Sequence, residues 1–322
     1  MKIKVIEKSS RCRDRLELEF APGIVFSADP ACADYDWLVV YDEMKRVEDL
    51  RCPRERTILA TCEPVSIKHY SRAYIRQFGH LLTNRPDVDG HPHYHLGRGY
   101  YKWFCDRTYQ EAGSLVLPPK TKLISAVCSS KQMKHTKHHA RFQLISKLAE
   151  AIPEFEWYGH GVRSFGKKHE VMDPYRYHVV VENHIAPHHW TEKLTDAFLC
   201  ECLPFYAGAP DLADDFPADS FIPIPIDDPA EAIRVIKESI ANGEYEKRRS
   251  AVLEAKRLVL SKYNFWSQVV ALIESAADQS SSVPDRAVRA RILPRKSMRW
   301  HSPSAFWDDL KSHLFGALHN KE

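Results

Sequence analysis

The chain contains 322 residues, of which 44% are hydrophobic and 28% are charged. That composition is typical of globular proteins, and the length suffices for two domains with separate cores. The formal net charge is +3, which is too small to predict nucleic-acid binding for the chain as a whole.

We expect neither a membrane helix nor a signal peptide. No run in the sequence approaches the roughly 20 apolar residues that a membrane helix requires. The N-terminus becomes polar after Val5 and Ile6, which is too early for the apolar segment of a signal peptide. The cysteines are scattered and form no CxxC pair. These features predict reduced thiols and a cytoplasmic protein.

Apolar runs in the first part of the chain predict β-strands. Residues 2–6 alternate between apolar and polar side chains, and residues 37–41 and 57–61 form continuous apolar runs. Residues 81–99 contain proline, glycine, asparagine and three spaced histidines, which together predict a loop. Consecutive prolines at 118 and 119 predict a hinge between two domains.

Strands and helices alternate after this hinge. The predicted strands are 122–128, 155–159, 177–181 and 203–208, and the predicted helices are 140–151, 191–199 and 228–240. This alternation predicts parallel sheets with crossover helices. Ligands of such sheets bind at the carboxyl ends of the strands, so the residues that follow the strands are the candidates for a binding site.

One such segment combines acidic, amide and basic side chains. Glu182 and Asn183 follow a predicted strand, and Thr191, Glu192 and Lys193 begin the next helix. The free N–H groups of a helix N-terminus suit a phosphate, and Lys193 adds a positive charge. Glu192 could accept hydrogen bonds from ribose hydroxyls. The same residues also fit an ordinary capped helix with a surface lysine.

Residues 175–210, YRYHVVVENHIAPHHWTEKLTDAFLCECLPFYAGAP, resemble the signature of the α1,3/4-fucosyltransferase family of GT-B glycosyltransferases. In that signature an aromatic strand ends in Glu-Asn, a loop with a tyrosine leads to Thr-Glu-Lys and a helix, and Pro-x-x-x-Gly follows. Pro204 and Gly208 fit the last element. A looser likeness, of the bacterial type, extends from Ile58 to about Ile273.

The resemblance implies an α/β fold of the GT-B type, with two Rossmann-like domains that face each other across a cleft. We predict an acceptor-side domain at 1–118, a nucleotide-sugar domain at 119–278 and a basic, amphipathic tail at 279–322. The implied activity is inverting transfer of fucose from GDP-fucose to a glycan acceptor such as lipopolysaccharide, O-antigen or a capsule-type saccharide. No cofactor is implied besides this donor substrate.

The resemblance also implies roles for particular residues. Glu63 corresponds to the family's acceptor-activating carboxylate and would be the general base. Arg141 and Lys193 would neutralise the donor diphosphate. The side chains expected to complete the donor site are those of Glu182, Asn183, Trp190 and Glu192. Taken alone, Glu63 also fits an ordinary loop glutamate, and Arg141 a solvated cation at a helix start.

Trp190 stands where we expect the family's tyrosine. This departure leaves the donor sugar open, so the alternatives are transfer of another nucleotide-linked hexose or deoxyhexose and, more remotely, a non-catalytic protein that binds a sugar nucleotide. The 17 histidines include no HExxH or Cys/His zinc spacing, and we predict no metal site.

The tail combines basic and aromatic residues. Arginine and lysine recur between residues 286 and 299, and aromatic and aliphatic side chains then recur at helical spacing to Leu318. This pattern predicts peripheral contact of residues 286–318 with an anionic membrane. The alternative is a final helix packed on the body or in a dimer. We expect no nucleic-acid partner.

Overall fold

The computed structural model describes residues 1–7, 17–64, 67–85, 88, 91–130, 137–279, 290–301, 303 and 306–307. They form two compact units. The first comprises Met1–Gly97 together with the C-terminal residues from Val270, and the second comprises Arg98–Val269.

The secondary structure of the described residues is as follows. The strands are β1 (Lys2–Glu7), β2 (Glu17–Ala21), β3 (Ile24–Ser27), β4 (Trp37–Tyr41), β5 (Glu48–Asp49), β6 (Thr57–Ala60), β7 (His80–Thr83), β8 (Tyr94–Leu96), β9 (Lys122–Val127), β10 (Phe155–Tyr158), β11 (Tyr175–Val181), β12 (Leu203–Ala207), β13 (Ile222–Pro223) and β14 (Arg291–Ile292). The helices are α1 (Arg72–Ile75), α2 (Tyr109–Ser114), α3 (His138–Ala151), α4 (Glu192–Leu199), α5 (Pro229–Ala241), α6 (Glu244–Ser261) and α7 (Phe265–Gln279).

The first unit contains a sheet with the strand order β2-β3-β1-β4-β6-β7-β8. All neighbouring strands in it are parallel except β2 and β3, which are antiparallel. Leu38, Val39 and Leu59 are completely buried, as expected for parallel strands covered on both faces. The strands predicted at 2–6, 37–41 and 57–61 are confirmed as β1, β4 and β6.

Two features of this sheet differ from the prediction. The prediction of a loop at 81–99 is wrong, because β7 and β8 lie there. They are the last two strands on one side of the sheet. Leu81 and Leu82 of β7 are buried in the core, but the run is too short and too close to polar residues to resemble a strand. The hairpin of β2 and β3, at the opposite edge, was not predicted.

The second unit contains a parallel sheet with the order β10-β9-β11-β12-β13. Its first four strands in the chain and the helices α3, α4 and α5 confirm the predicted alternation. The helix starts follow ordinary capping chemistry: the side chain of Asp228 accepts a hydrogen bond from the Glu231 N–H at 3.1 Å, and Pro229 begins α5.

The two units do not coincide with the predicted division at residues 118 and 278. Residues 98–118 belong to the second unit, because Trp103 stacks on Tyr109 with ring centroids 5.8 Å apart and packs against Trp266 at 4.8 Å. Part of the predicted tail belongs to the first unit, where β14 pairs with β5 and Ile292 is completely buried.

The predicted membrane segment 286–318 lies partly outside the described residues. Within the part that is described, Met298 is buried in the core of the first unit, whereas Trp300 and Trp307 are 73% and 57% exposed. Among the described helices, none combines the length and apolar character needed to cross a membrane.

Four histidines gather at the β7–β8 edge of the first sheet. Nδ1 of His80 lies 3.2 Å from Nε2 of His95, and the rings of His80 and His93 have centroids 5.1 Å apart. Burial, followed by the neighbouring imidazoles, lowers the pKa of His80 to about 4, and burial also lowers the pKa of His91 and His95. The rings of His80, His91 and His95 are therefore neutral in the folded protein at neutral pH.

This cluster predicts acid sensitivity of the first unit. The pKa of an unfolded histidine is about 6.5, so the unfolded chain takes up protons first as the pH falls below that value. We expect the free energy of unfolding to be constant above pH 7 and to fall by about 1–2 kcal/mol between pH 6.5 and pH 4.5 through His80. Thermal unfolding of the wild type and of His80→Gln measures this effect. An equally steep pH dependence in the variant would contradict it.

Candidate donor-binding site

Three cationic side chains line one pocket at the carboxyl ends of β9 and β11. Arg141 comes from the first turn of α3, Lys193 from the first turn of α4, and Lys168 from the segment that leads into β11. Cys128, His178 and the valines of β11 complete the lining. We call this opening, defined by Arg141, Lys168 and Lys193, the cationic pocket. Its position is the one at which parallel sheets bind ligands.

Arg141 has a hydrogen-bond donor that this chain leaves unused. The residue is 6% exposed, and Nη1 donates to Oδ1 of Asn183. Nε is buried, and within the described part of the chain no acceptor lies in reach of it. Since buried polar groups are almost always paired, an unpaired guanidinium N–H that borders a pocket indicates an acidic ligand.

Glu182 does not line the pocket, and its carboxylate is bound by neighbouring groups of the protein. The residue is completely buried, and Oε1 accepts a hydrogen bond from the Thr191 N–H at 2.9 Å. The Thr191 hydroxyl lies 2.8 Å from Oε2, and Nζ of Lys193 lies 3.3 Å from that oxygen. These contacts orient the start of α4, so Glu182 supports the pocket and does not face its opening.

Lys193 is held by three oxygen atoms. Nζ lies 3.0 Å from the Thr191 hydroxyl, 3.1 Å from Glu192 Oε1 and 3.3 Å from Glu182 Oε2. Burial favours the neutral amine, but the two carboxylates outweigh it and raise the pKa of Lys193. Burial likewise opposes ionisation of Glu192, yet Lys193 and Lys168 lower the pKa of that carboxyl. The pair is therefore fully ionised at neutral pH.

Lys168 lines the pocket but is not among the site residues predicted from the sequence. Its ammonium group donates to Oδ2 of Asp196 at 2.6 Å, and that carboxylate is completely buried. Lys168 lies in a polar stretch between β10 and β11, where no periodicity or motif marks it. Only the path of the chain back across the sheet brings its side chain to Arg141 and Lys193.

Trp190 does not line the cationic pocket. Its side chain is completely buried, Nε1 donates to Asp215 Oδ2 at 2.9 Å, and the ring packs on Phe216 and Tyr263. Any side chain at Gly99 would overlap this ring. Trp190 is therefore a core residue, and its large ring contributes to the packing of the core.

Glu63 lies in the first unit, in the loop that follows β6, whereas the other predicted site residues belong to the second unit. The N–H groups of Cys62 and Glu63 donate to the Tyr70 hydroxyl at 3.3 and 3.5 Å. Nη1 of Arg85 donates to the Glu63 carbonyl at 3.1 Å, and the Tyr70 hydroxyl donates to Asp42. The backbone that carries Glu63 is thus held from both sides.

Within the described ranges, no three His, Cys, Asp or Glu side chains lie close enough to hold a metal ion. The cationic groups that line the pocket are the side chains of Arg141, Lys168 and Lys193.

Comparisons with known proteins agree with this architecture. Residues 117–237 match the sequence model of the C-terminal domain of glycosyltransferase family 10 (fucosyltransferase). The fold is similar to the crystal structure of an alpha1,3-fucosyltransferase, with a TM-score of 0.54, 16% identity and coverage of 88% of this chain and 91% of that chain. The same values hold for an alpha1,3-fucosyltransferase crystallised with GDP-fucose, and the TM-score is 0.52 for the one with GDP. No curated protein sequence matches the chain.

Two α/β units with parallel sheets, and similarity to a solved fucosyltransferase over most of the chain, define a fold of the GT-B type. The family-model match at 117–237 identifies a glycosyltransferase domain. The match of residues 117–237 to the family 10 model agrees with the family that the sequence signature resembles.

Proposed function

We propose that the protein transfers fucose from GDP-fucose to a glycan acceptor, with inversion at the anomeric carbon. The observation that carries the proposal is the meeting of Arg141, Lys168 and Lys193 around one pocket of the family 10 domain. A pyrophosphate that leaves with the electrons of the broken C–O bond needs such cations. A fucosyltransferase of the same fold crystallised with GDP-fucose supports this donor.

The proposed step is a single displacement. An acceptor hydroxyl oxygen bonds to the anomeric carbon of fucose as the bond from that carbon to the β-phosphate oxygen breaks, and GDP departs. The carboxylate of Glu63 takes the hydroxyl proton as general base. Attack on the face opposite the leaving group inverts the anomeric centre. Arg141 and Lys193 stabilise the negative charge that develops on GDP.

A donor panel tests this function. Purified protein is incubated with GDP-fucose, GDP-mannose, UDP-glucose or dTDP-rhamnose and a set of bacterial oligosaccharides, and release of the nucleoside diphosphate is measured. We expect turnover with GDP-fucose alone, and a product whose fucosyl linkage has the inverted configuration by NMR. Turnover with another donor would replace fucose in the proposal. Binding of GDP without any transfer would identify a non-catalytic nucleotide-binding protein.

We further propose that the acceptor is a lipopolysaccharide, O-antigen or capsule-type saccharide, modified in the cytoplasm at the inner face of the membrane. The exposed indoles of Trp300 and Trp307, which follow the basic residues between 286 and 299, support this location.

A shortened chain ending at Trp300 keeps β14 and the buried Met298. We expect this chain to stay folded but to lose cosedimentation with phosphatidylglycerol vesicles, whereas neither form should sediment with phosphatidylcholine vesicles. Unfolding of the shortened chain would support the alternative in which the last residues pack on the body.

A further inference from the structure

The three cations of the pocket differ in how many of their hydrogen-bond donors the protein uses. An ammonium group has three N–H donors. Lys193 donates two of them, to the Thr191 hydroxyl and to Glu192, and its ammonium group also forms an ion pair with Glu182 at 3.3 Å. Three oxygen atoms therefore surround this ammonium group, so a phosphate interacts with Lys193 mainly through its charge.

Fewer of the N–H donors of Lys168 are used by the protein. Across the described ranges, Asp196 is the one acceptor within hydrogen-bond distance of its ammonium group. The side chain is 14% exposed and borders the cationic pocket, so two N–H donors remain for a ligand there. The backbone N–H of Lys168 donates to Asp106 Oδ2 at 2.6 Å, which fixes the segment from which the side chain extends.

Asp196 anchors Lys168 without closing the pocket. Its side chain is completely buried, and Oδ1 accepts the Phe104 N–H at 2.8 Å while Oδ2 accepts from Lys168. Burial alone would favour the neutral amine of Lys168, but the charges of Asp196 and Glu192 raise its pKa. The lysine is therefore charged and held in place before any ligand arrives.

Formal charges around the pocket cancel. The cations are Arg141, Lys168 and Lys193, and the carboxylates in contact with them are Glu182, Glu192 and Asp196. Two ionised phosphates that enter such a pocket require donors that are not already used. Arg141 has one at Nε and Lys168 has two.

We propose that Lys168 is a direct ligand of the donor diphosphate, alongside Arg141. This inference rests on the proposed function, and it assigns to the pocket a residue that lies outside the family signature. Lys193, in contrast, already contacts Thr191, Glu192 and Glu182 and acts on the diphosphate through its charge.

Calorimetry with GDP and with guanosine tests the assignment. We expect Lys168→Met to weaken GDP binding about 10-fold to 100-fold, as for loss of a charge-assisted hydrogen bond, and to leave guanosine binding unchanged. Lys256→Met is the matched control, because Lys256 pairs with Glu201 at 2.8 Å, both side chains are 13% exposed, and neither lines the pocket. This control should bind GDP as the wild type does.

The double variant Lys168→Met/Asp196→Asn separates ligand contact from folding. Removing Lys168 alone leaves the buried Asp196 carboxylate unpaired and lowers the melting temperature. Neutralising Asp196 should restore the melting temperature but not the GDP affinity. Recovery of wild-type GDP affinity in the double variant would overturn the proposal for Lys168 and leave the proposed function intact. A wild-type protein that binds no GDP would overturn both.

Discussion

Replacing Glu63 with glutamine is expected to lower the rate of fucose transfer about 10²-fold to 10⁴-fold, the range typical of a lost general base. The amide has nearly the same shape as the carboxylate but cannot accept the proton of the acceptor hydroxyl. Affinity for GDP should not change, since the cationic pocket is built entirely from residues of the second unit. Single-turnover product formation and calorimetry measure the two quantities.

Glu55→Gln serves as the control for this experiment. Glu55 is an exposed glutamate of the same unit, so its amide variant should transfer fucose at the wild-type rate. Because the backbone at Glu63 is held by Tyr70 and Arg85, the substitution should leave the loop in place. Full activity of Glu63→Gln would show that another group accepts the proton.

Replacing Arg141 with methionine is expected to weaken GDP binding about 10-fold to 100-fold. Methionine fills most of the same space, but it removes both the charge and the buried Nε donor that has no acceptor among the described residues. Binding of guanosine, which has no phosphate, should be unaffected. Calorimetric titration of both ligands measures the difference.

Arg163→Met provides the comparison, because Arg163 lies in the same unit but is paired with Glu156 at 2.7 Å and its side chain is 61% exposed. It should bind GDP with wild-type affinity. A parallel loss of GDP and guanosine affinity in Arg141→Met would indicate a damaged fold, and unchanged GDP affinity would remove Arg141 from the donor site.

The second unit was the more predictable part of the fold. Its first four strands are largely apolar runs, α3 and α4 lie between them at the expected positions, and α5 follows the last strand of the sheet. In the first unit, β7 and β8 were mistaken for a loop and the hairpin of β2 and β3 was missed. The edge strands β2 and β8 bury little of their surface, so their sequences carry little of the pattern from which strands are predicted, whereas β7 is buried but only four residues long.

The sequence alone was sufficient to predict the site residues that lie close together along the chain. The segment from Glu182 to Lys193 spans one strand end and the next helix start, and local spacing is sufficient to bring such residues to the same sheet edge. Its likeness to a family signature supplied the chemistry. Glu182 and Lys193 do meet, at 3.3 Å.

Tertiary structure decided which of those residues face a ligand. It buried Glu182 and Trp190, left a donor of Arg141 unused and added Lys168. Whether all hydrogen-bonding groups of a polar side chain are used depends on the partners that surround it in space. Those partners come from segments far apart in the sequence. Spacing along a chain specifies neighbours on one element, whereas only packing between elements determines which donors remain for a substrate.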